Sequence, residues 1–257
     1  MDTITSRTNE RVKEISALCS DASLRYEKGA CVLFGAKLCG EALRLGAKLN
    51  EVWFTKSANE SCYSLSELIE NAEKTVLMSD GVEEKLAYLK TPTGVLAVAK
   101  IPVSGENQSA KRRVILSAVQ DPANVGAIIR TAAALGIEEV VLSGDCADAF
   151  SPKALRASMG AAFAVGIRTC NRVEDEIQTL QAKGVLCVAT ALSKNSVPIS
   201  EIDKSKSIAL IIGNEGSGLS DAIIGRCDVS AIIPITDRVE SLNAASASAI
   251  AMWELRI

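Results

Sequence analysis

The chain has 257 residues, 48% of them hydrophobic and 23% charged, with a formal net charge of −3. This is the composition of a globular protein of one large or two modest domains, and it excludes a coiled coil or a disordered chain. Histidine is absent, which excludes Ser-His-Asp triads, Cys-His pairs and histidine metal sites. Proton transfer near neutral pH therefore falls to Glu, Asp, Lys, Tyr, Cys or an unusually placed Arg.

The first residues, Met1 to Arg7, lack a basic segment followed by an apolar run, and no stretch of eighteen apolar residues occurs. Neither secretion nor a membrane span is expected, and the expected location is the cytoplasm. An amphipathic stretch from Asn9 to Leu18 predicts the first helix. Runs rich in β-formers follow at Glu51–Thr55, Thr75–Met78 and Gly94–Ala99, with helical-period segments at Lys37–Leu45 and Ser64–Ala72. Pro102–Ser109 is polar, contains Gly and Pro, and has no periodicity, so it reads as a linker. The boundaries drawn are a first domain at 1–101, a linker at 102–112 and a second domain at 113–257.

Beyond the linker the strands become continuously apolar: Val114–Leu116, Val140–Leu142, Val185–Val188, Ile208–Ile212 and Ala231–Ile233. Such runs alternating with helices predict an α/β domain whose parallel sheet is covered on both faces. The eight cysteines are scattered without a Cys-x-x-Cys pair. They read as small buried hydrophobes in a reducing compartment, and no metal site is expected. The net charge offers no basic excess for phosphate contacts, so a local basic face would have to supply them.

Three polar blocks each follow a predicted strand, at the edge where open α/β sheets bind ligands. The first runs from Gln120 to Arg130. Asp-Pro turns the chain, Asn124 is placed to cap the next helix, and Arg130 follows six residues later. The second is Gly213-Asn214-Glu215-Gly216-Ser217-Gly218-Leu219, a glycine-rich loop with one carboxylate. Its spacing matches neither a dinucleotide fingerprint nor a P-loop. The third is Ile233-Pro234 through Ser241-Leu242-Asn243, leading into an Ala/Ser-rich helix for which Ser241 is a suitable cap. Each block alone is also compatible with an ordinary turn, cap or core helix.

Taken in order and at these distances, the blocks resemble the three signature motifs of the SpoU/TrmH family of RNA ribose methyltransferases. Ser151–Ala161, with its Arg156-Ala157-Ser158-Met159-Gly160-Ala161, resembles a further segment of that family. The N-terminal part, through Ile4-Thr5-Ser6, Asn9 with Val12-Lys13, and Thr91–Ala97, is similar to the small ribosomal-protein-like α/β domain of many relatives. It departs from them in having Tyr26 where an Arg is frequent and Phe34-Gly35 where Glu-Gly is frequent.

The resemblance implies a C-terminal α/β knot, a deep trefoil on a mostly parallel sheet, preceded by the small α/β domain. It implies S-adenosylmethionine as cofactor, held largely by backbone groups at Gly213, Ile233 and Leu242. It also implies a homodimer whose site is completed across the interface, and an RNA substrate, ribosomal RNA ahead of transfer RNA. Arg130 would act on the ribose 2′-hydroxyl, most reasonably by stabilising developing alkoxide charge. Asn124 would position Arg130 or the ribose, Glu215 and Asn243 would organise the loops, and Ser241 would cap the last helix and touch RNA. Two other classes compete with this reading. A nucleotide-dependent oxidoreductase lacks its Gly-x-Gly-x-x-Gly fingerprint here, and a non-catalytic RNA-binding protein would not need Asn124, Arg130, Glu215 and Asn243 together.

Overall fold

The computed structural model describes residues 1–61, 65–86, 92–103, 105–193, 195–239 and 241–256. Cys62, Ser64 of a predicted helix, Thr91, Ser104 of the linker and Glu240 of the third block lie outside the described residues. The chain forms two units, Met1–Val103 with Phe150–Ala164, and Ser104–Ala149 with Val165–Ile257.

The first unit contains β1 (Asp2–Ile4), α1 (Glu10–Ser20), α2 (Ala22–Lys28), β2 (Ala30–Phe34), α3 (Ala36–Arg44) and β3 (Leu49–Phe54). It continues with α4 (Lys56–Ser61), α5 (Leu65–Glu70), β4 (Ala72–Met78), α6 (Asp80–Leu86) and β5 (Val95–Lys100). The strands form a mixed sheet in the order β1-β4-β3-β5-β2, with β5 antiparallel to both neighbours. Helix α1 begins at Glu10 because the Asn9 side chain accepts the Arg11 N–H at 2.9 Å, satisfying one of the orphan donors of the first turn. Val12, Ile15 and Leu18 then fall on one face and are buried with Trp53, Val76 and Met78. Arg25 is buried and donates to the Leu18 carbonyl at 2.6 Å, tying α2 to the end of α1.

The second half of the chain supplies β6 (Arg112–Leu116), α7 (Pro122–Ala134), β7 (Glu139–Ser143), α8 (Pro152–Ser158), β8 (Gly166–Cys170) and α9 (Val173–Ala182). After these come β9 (Leu186–Thr190), β10 (Val197–Pro198), β11 (Ile208–Ile212), α10 (Asp221–Arg226), β12 (Val229–Ile232) and α11 (Ala244–Leu255). Of these, α8 groups with the first unit, where Gly160 behind it meets the backbone of Ala42. The other elements build a seven-stranded sheet in the order β10-β12-β9-β11-β6-β7-β8, every pairing parallel. Every residue of β6, β7 and β11 is buried, as the continuous apolar runs predict. Parallel pairing also brings the carboxyl ends of all seven strands to one edge.

Buried charge fixes the opposite edge. Glu139 accepts from Arg113 and Arg168 at 3.0 Å each, and Arg113 and Glu139 are almost fully buried. Glu139 also accepts the Asn107 N–H at 2.9 Å while Arg113 donates to the Asn107 carbonyl at 2.6 Å, so this part of the predicted linker is pinned to the sheet. Arg112, also buried, gathers carbonyls: Leu255 at 2.6 Å and Lys204 and Lys206 at 2.7 Å each. It thereby caps α11, which has no basic residue in its own last turn and packs on α7, β11 and Ile199–Glu201.

Arg112→Ala removes the donor from the buried Leu255 carbonyl and from the part-buried carbonyls of Lys204 and Lys206. It should lower the unfolding free energy measured in urea by about 3 kcal/mol, whereas Lys111→Ala at the exposed neighbour should stay within about 0.5 kcal/mol.

Candidate active site

At the carboxyl end of β6 the ladder runs one residue further, Ser117 N–H donating to the Ile212 carbonyl at 2.8 Å. The next residue, Ala118, has φ of 54°, a left-handed conformation that costs a non-glycine residue roughly 1–2 kcal/mol. Two side chains hold it there. Its N–H donates to the Ser143 hydroxyl at 2.9 Å, and its carbonyl accepts from the Asn214 amide at 2.7 Å. This turn delivers the chain to α7, whose cap is Asp121, accepting the Ala123 N–H at 2.9 Å, with Pro122 as the first helical residue.

The cap predicted at Asn124 is therefore corrected: Asp121 takes that place because the proline behind it fixes where the helix starts. Asn124 lies in the first turn with its carboxamide free to reach other loops. It donates to Glu215 Oε1 at 2.8 Å and accepts from the Asn243 amide at 3.3 Å.

The glycine-rich loop after β11 closes on itself. Asn214 and Gly218 exchange backbone hydrogen bonds of 3.1 and 3.0 Å, and Gly218 has φ of 67°. Asn214 Oδ1 accepts the N–H groups of Gly216 and Ser217 at 2.8 and 3.0 Å. A side chain at Gly213 would place its Cβ 2.4 Å from the Gly218 carbonyl carbon, so loop closure itself demands glycine there. Glu215 emerges exposed from this loop and also faces the N–H groups of Gln120 and Asp121 at 3.4 Å. Desolvation pushes its carboxyl up. The Asn124 amide and the surrounding backbone N–H groups outweigh that, holding it below its ordinary value of 4.5.

In the third block β12 ends at Ile232, Ile233 and Leu242 are half-buried, and Pro234–Val239 are exposed. The cap of α11 is Asn243, which accepts the N–H groups of Ala245 and Ser246 at 2.9 and 3.4 Å. Ser241, predicted as that cap, lies exposed two residues earlier. The helix starts at Ala244, and Asn is as good a cap as Ser.

The structure thus brings Asn124, Glu215 and Asn243 into one hydrogen-bonded cluster. It sets Gly213 and Ile233 at the same sheet edge, on either side of β9. Arg130 is elsewhere: six residues along a helix is about 9 Å and about 120° around its axis. It is exposed and makes no hydrogen bond or ion pair among the described residues. Reading the sequence missed the parts played by Asp121, Asn214, Ala118 and Ser143. An Asp before a Pro was the available signal for the first, whereas the strained alanine and its two supports have no local signature. Among the described residues no group of three His, Cys, Asp or Glu side chains could hold a metal ion. Burial pushes the thiols of Cys19, Cys187 and Cys227 up to about 12, which makes them packing groups, not nucleophiles.

Because the folded-state pKa of Glu215 is depressed, its stabilising effect is present above about pH 4.5 and is lost as pH falls through the lowered value. Glu215→Gln, which keeps only one of the two accepting oxygens, should cost at most about 1 kcal/mol at pH 7 given its exposure. In unfolding series run at both pH values, that gap should close towards pH 3.

The chain matches the model of the SpoU rRNA methylase family over residues 111–253 and that of the MRM3-like substrate binding domain over residues 9–97. It is 32% identical over 256 residues to RlmP of Bacillus subtilis, a 23S rRNA (guanosine(2553)-2′-O)-methyltransferase, with all of both chains covered. An AdoMet-bound rRNA methyltransferase from Sinorhizobium meliloti superposes with a TM-score of 0.84 at 33% identity, over 99% of this chain and 97% of that one. The SpoU methyltransferase AviRb of Streptomyces viridochromogenes, in complex with AdoMet, gives 0.85 at 26% identity over 96% and 97%. Full-length similarity in sequence and in fold agree: the chain belongs to the SpoU rRNA methylase family.

Proposed function

We propose that this protein transfers a methyl group from S-adenosylmethionine to a ribose 2′-hydroxyl of ribosomal RNA. The observation that carries this reading is the Asn124–Glu215–Asn243 cluster, which locks three loops together at the ligand-binding edge of a parallel sheet. Relatives bearing the 23S rRNA 2′-O-methyltransferase name in Bacillus subtilis and Streptomyces viridochromogenes, and solved relatives with AdoMet bound, support the substrate and the cofactor.

The residues present fit this cofactor. Half-buried Ile233 and Leu242 offer apolar surface to an uncharged adenine, and the loops from β11 and β12 offer backbone N–H and C=O groups in place of a charged cage. Gly213, Ile233 and Leu242 would hold the molecule. When bound, S-adenosylmethionine supplies an electrophilic methyl group on a sulfonium.

The chain's own task is to make a ribose hydroxyl nucleophilic. Arg130 is an exposed guanidinium with no hydrogen bond or ion pair among the described residues, so it serves by stabilising developing alkoxide and orienting the adjacent phosphate. Its position away from the cluster suits action across a homodimer interface. On α11, Ser246, Ile250 and Trp253 are exposed four and then three residues apart, one stripe with two apolar members for a symmetric contact. Ser241, exposed before α11, contacts RNA in this arrangement. The reading includes a trefoil knot, an exception to the rule against threaded chains. Its support is that α11 returns to pack on α7 and β11.

Calorimetry with S-adenosylmethionine and its demethylated product, together with mapping of 2′-O-methyl sites in ribosomal RNA with and without the protein, tests the proposal. Binding without metal and a lost site are expected. No response to either compound, with no site lost, overturns it. Arg130→Ala should lower the transfer rate on the order of 10²–10³-fold, with cofactor affinity and Tm unchanged, and Arg130→Lys should restore little. Mixing Arg130→Ala with Gly213→Leu should regain activity in mixed dimers. Near-normal turnover of Arg130→Ala would refute its role.

A further inference from the structure

The first unit has a cleft of about 150 Å³ between α1 and its sheet, apart from the edge described above. Its floor is apolar: Ile15, Leu18, Ala30 and Val98 line it, and each is at most 6% exposed. Its rim carries charge of both signs from Arg11, Glu14, Lys28, Asn50 and Glu51.

Most of that rim is already committed. Arg11 ion-pairs with Glu51 and lies over the Trp53 ring, 5.9 Å from its centroid, and Trp53 Nε1 donates to Glu51 at 2.7 Å. Lys28 stands 3.9 Å from Glu14, a loose pair with both side chains half exposed. Asn50 is different. The register of β3 against β5 shifts between Leu49 and Glu51, so Asn50 is the extra residue of a bulge. Its carboxamide has no hydrogen-bond partner among the described residues. Bulges re-aim a side chain out of the ladder and cluster beside functional sites.

The dimensions and the chemistry select a ligand class. A void of roughly 150 Å³ accepts a single six-membered ring, which for a purine leaves the five-membered ring at the mouth of the cleft. An apolar floor takes the face of a planar ring. With Arg11 paired to Glu51 and Lys28 beside Glu14, the rim has no net positive charge to draw a phosphate, while Glu14 accepts N–H donors and a free carboxamide both donates and accepts. A nucleobase meets all three conditions. Guanine meets them best, since it presents two adjacent N–H donors for a carboxylate and a carbonyl for an amide. RNA is read in sequence mainly through bases splayed out of loops and recognised along their edges.

We infer that this cleft holds an unpaired guanine of the RNA substrate, with Glu14 and Asn50 as the recognition groups. The inference rests on RNA being the substrate and concerns which nucleotide the first unit grips, separately from the nucleotide that is methylated.

Two measurements test it on the full chain. In methyl-labelled protein, GMP should shift the resonances of Ile15, Leu18 and Val98, CMP should do so less, and ribose 5-phosphate should leave them still. No shift with GMP, or an equal shift with ribose 5-phosphate, overturns the inference. In steady-state transfer to a ribosomal RNA fragment, Glu14→Gln and Asn50→Ala should each raise KM about tenfold, with kcat, S-adenosylmethionine affinity and the unfolding midpoint unchanged. An unchanged KM in both variants also overturns it. A wild-type protein that methylates no RNA defeats the methyltransferase reading alone, because the GMP titration does not depend on transfer.

Discussion

The site is organised around the Glu215 carboxylate. An ionised carboxylate can only accept, and here it collects donors from a segment 91 residues earlier in the chain, while Asn124 passes the connection on to Asn243, a further 119 residues along. A carboxamide is the side chain suited to that relay, since it donates at one end and accepts at the other. Everything near the cluster serves its placement. Ala118 is held in a conformation it would not choose, Asn214 braces both Ala118 and its own loop, and the cap at Asp121 leaves Asn124 available. Strain of this kind persists only where neighbours over-determine it.

Much of this was legible along the chain. The buried parallel strands announced themselves as unbroken apolar runs, because a strand covered on both faces needs no alternation. The three polar blocks were visible because each follows such a run. Exact capping was less legible. At Asp121-Pro122 and at Ser241-Leu242-Asn243, several residues compete for one role, and only the start of the helix decides among them. Strand β1 and helix α2 were missed because they are short, with three and seven residues; β2, as long as the strands that were read, was missed all the same. The grouping of Phe150–Ala164 with the first unit is a tertiary fact with no local signal.

Formal charge is a poor guide to this surface for a reason the fold makes plain. Arg25, Arg112 and Arg113 are buried and engaged with carbonyls or Glu139, so these cations serve the architecture and are not available to a phosphate backbone. The balance of the surface differs from the balance of the sequence. What matters for recognition is the handful of exposed or half-exposed groups, such as Arg130 on α7 and the rim of the cleft in the first unit.

The Arg112 clamp has a consequence in time as well as in space. Its acceptor at Leu255 lies 143 residues further along the chain. During synthesis from the amino end at roughly 5–20 residues per second, Arg112 leaves the ribosome many seconds before the carbonyl it caps has been made. Until then Arg112 can reach the carbonyls of Lys204 and Lys206 but not that of Leu255, so the clamp on α11 closes only after translation has passed that helix. Contacts of such sequence separation fold slowly, and nascent chains paused before Leu255 present a sheet on which α11 has not yet packed.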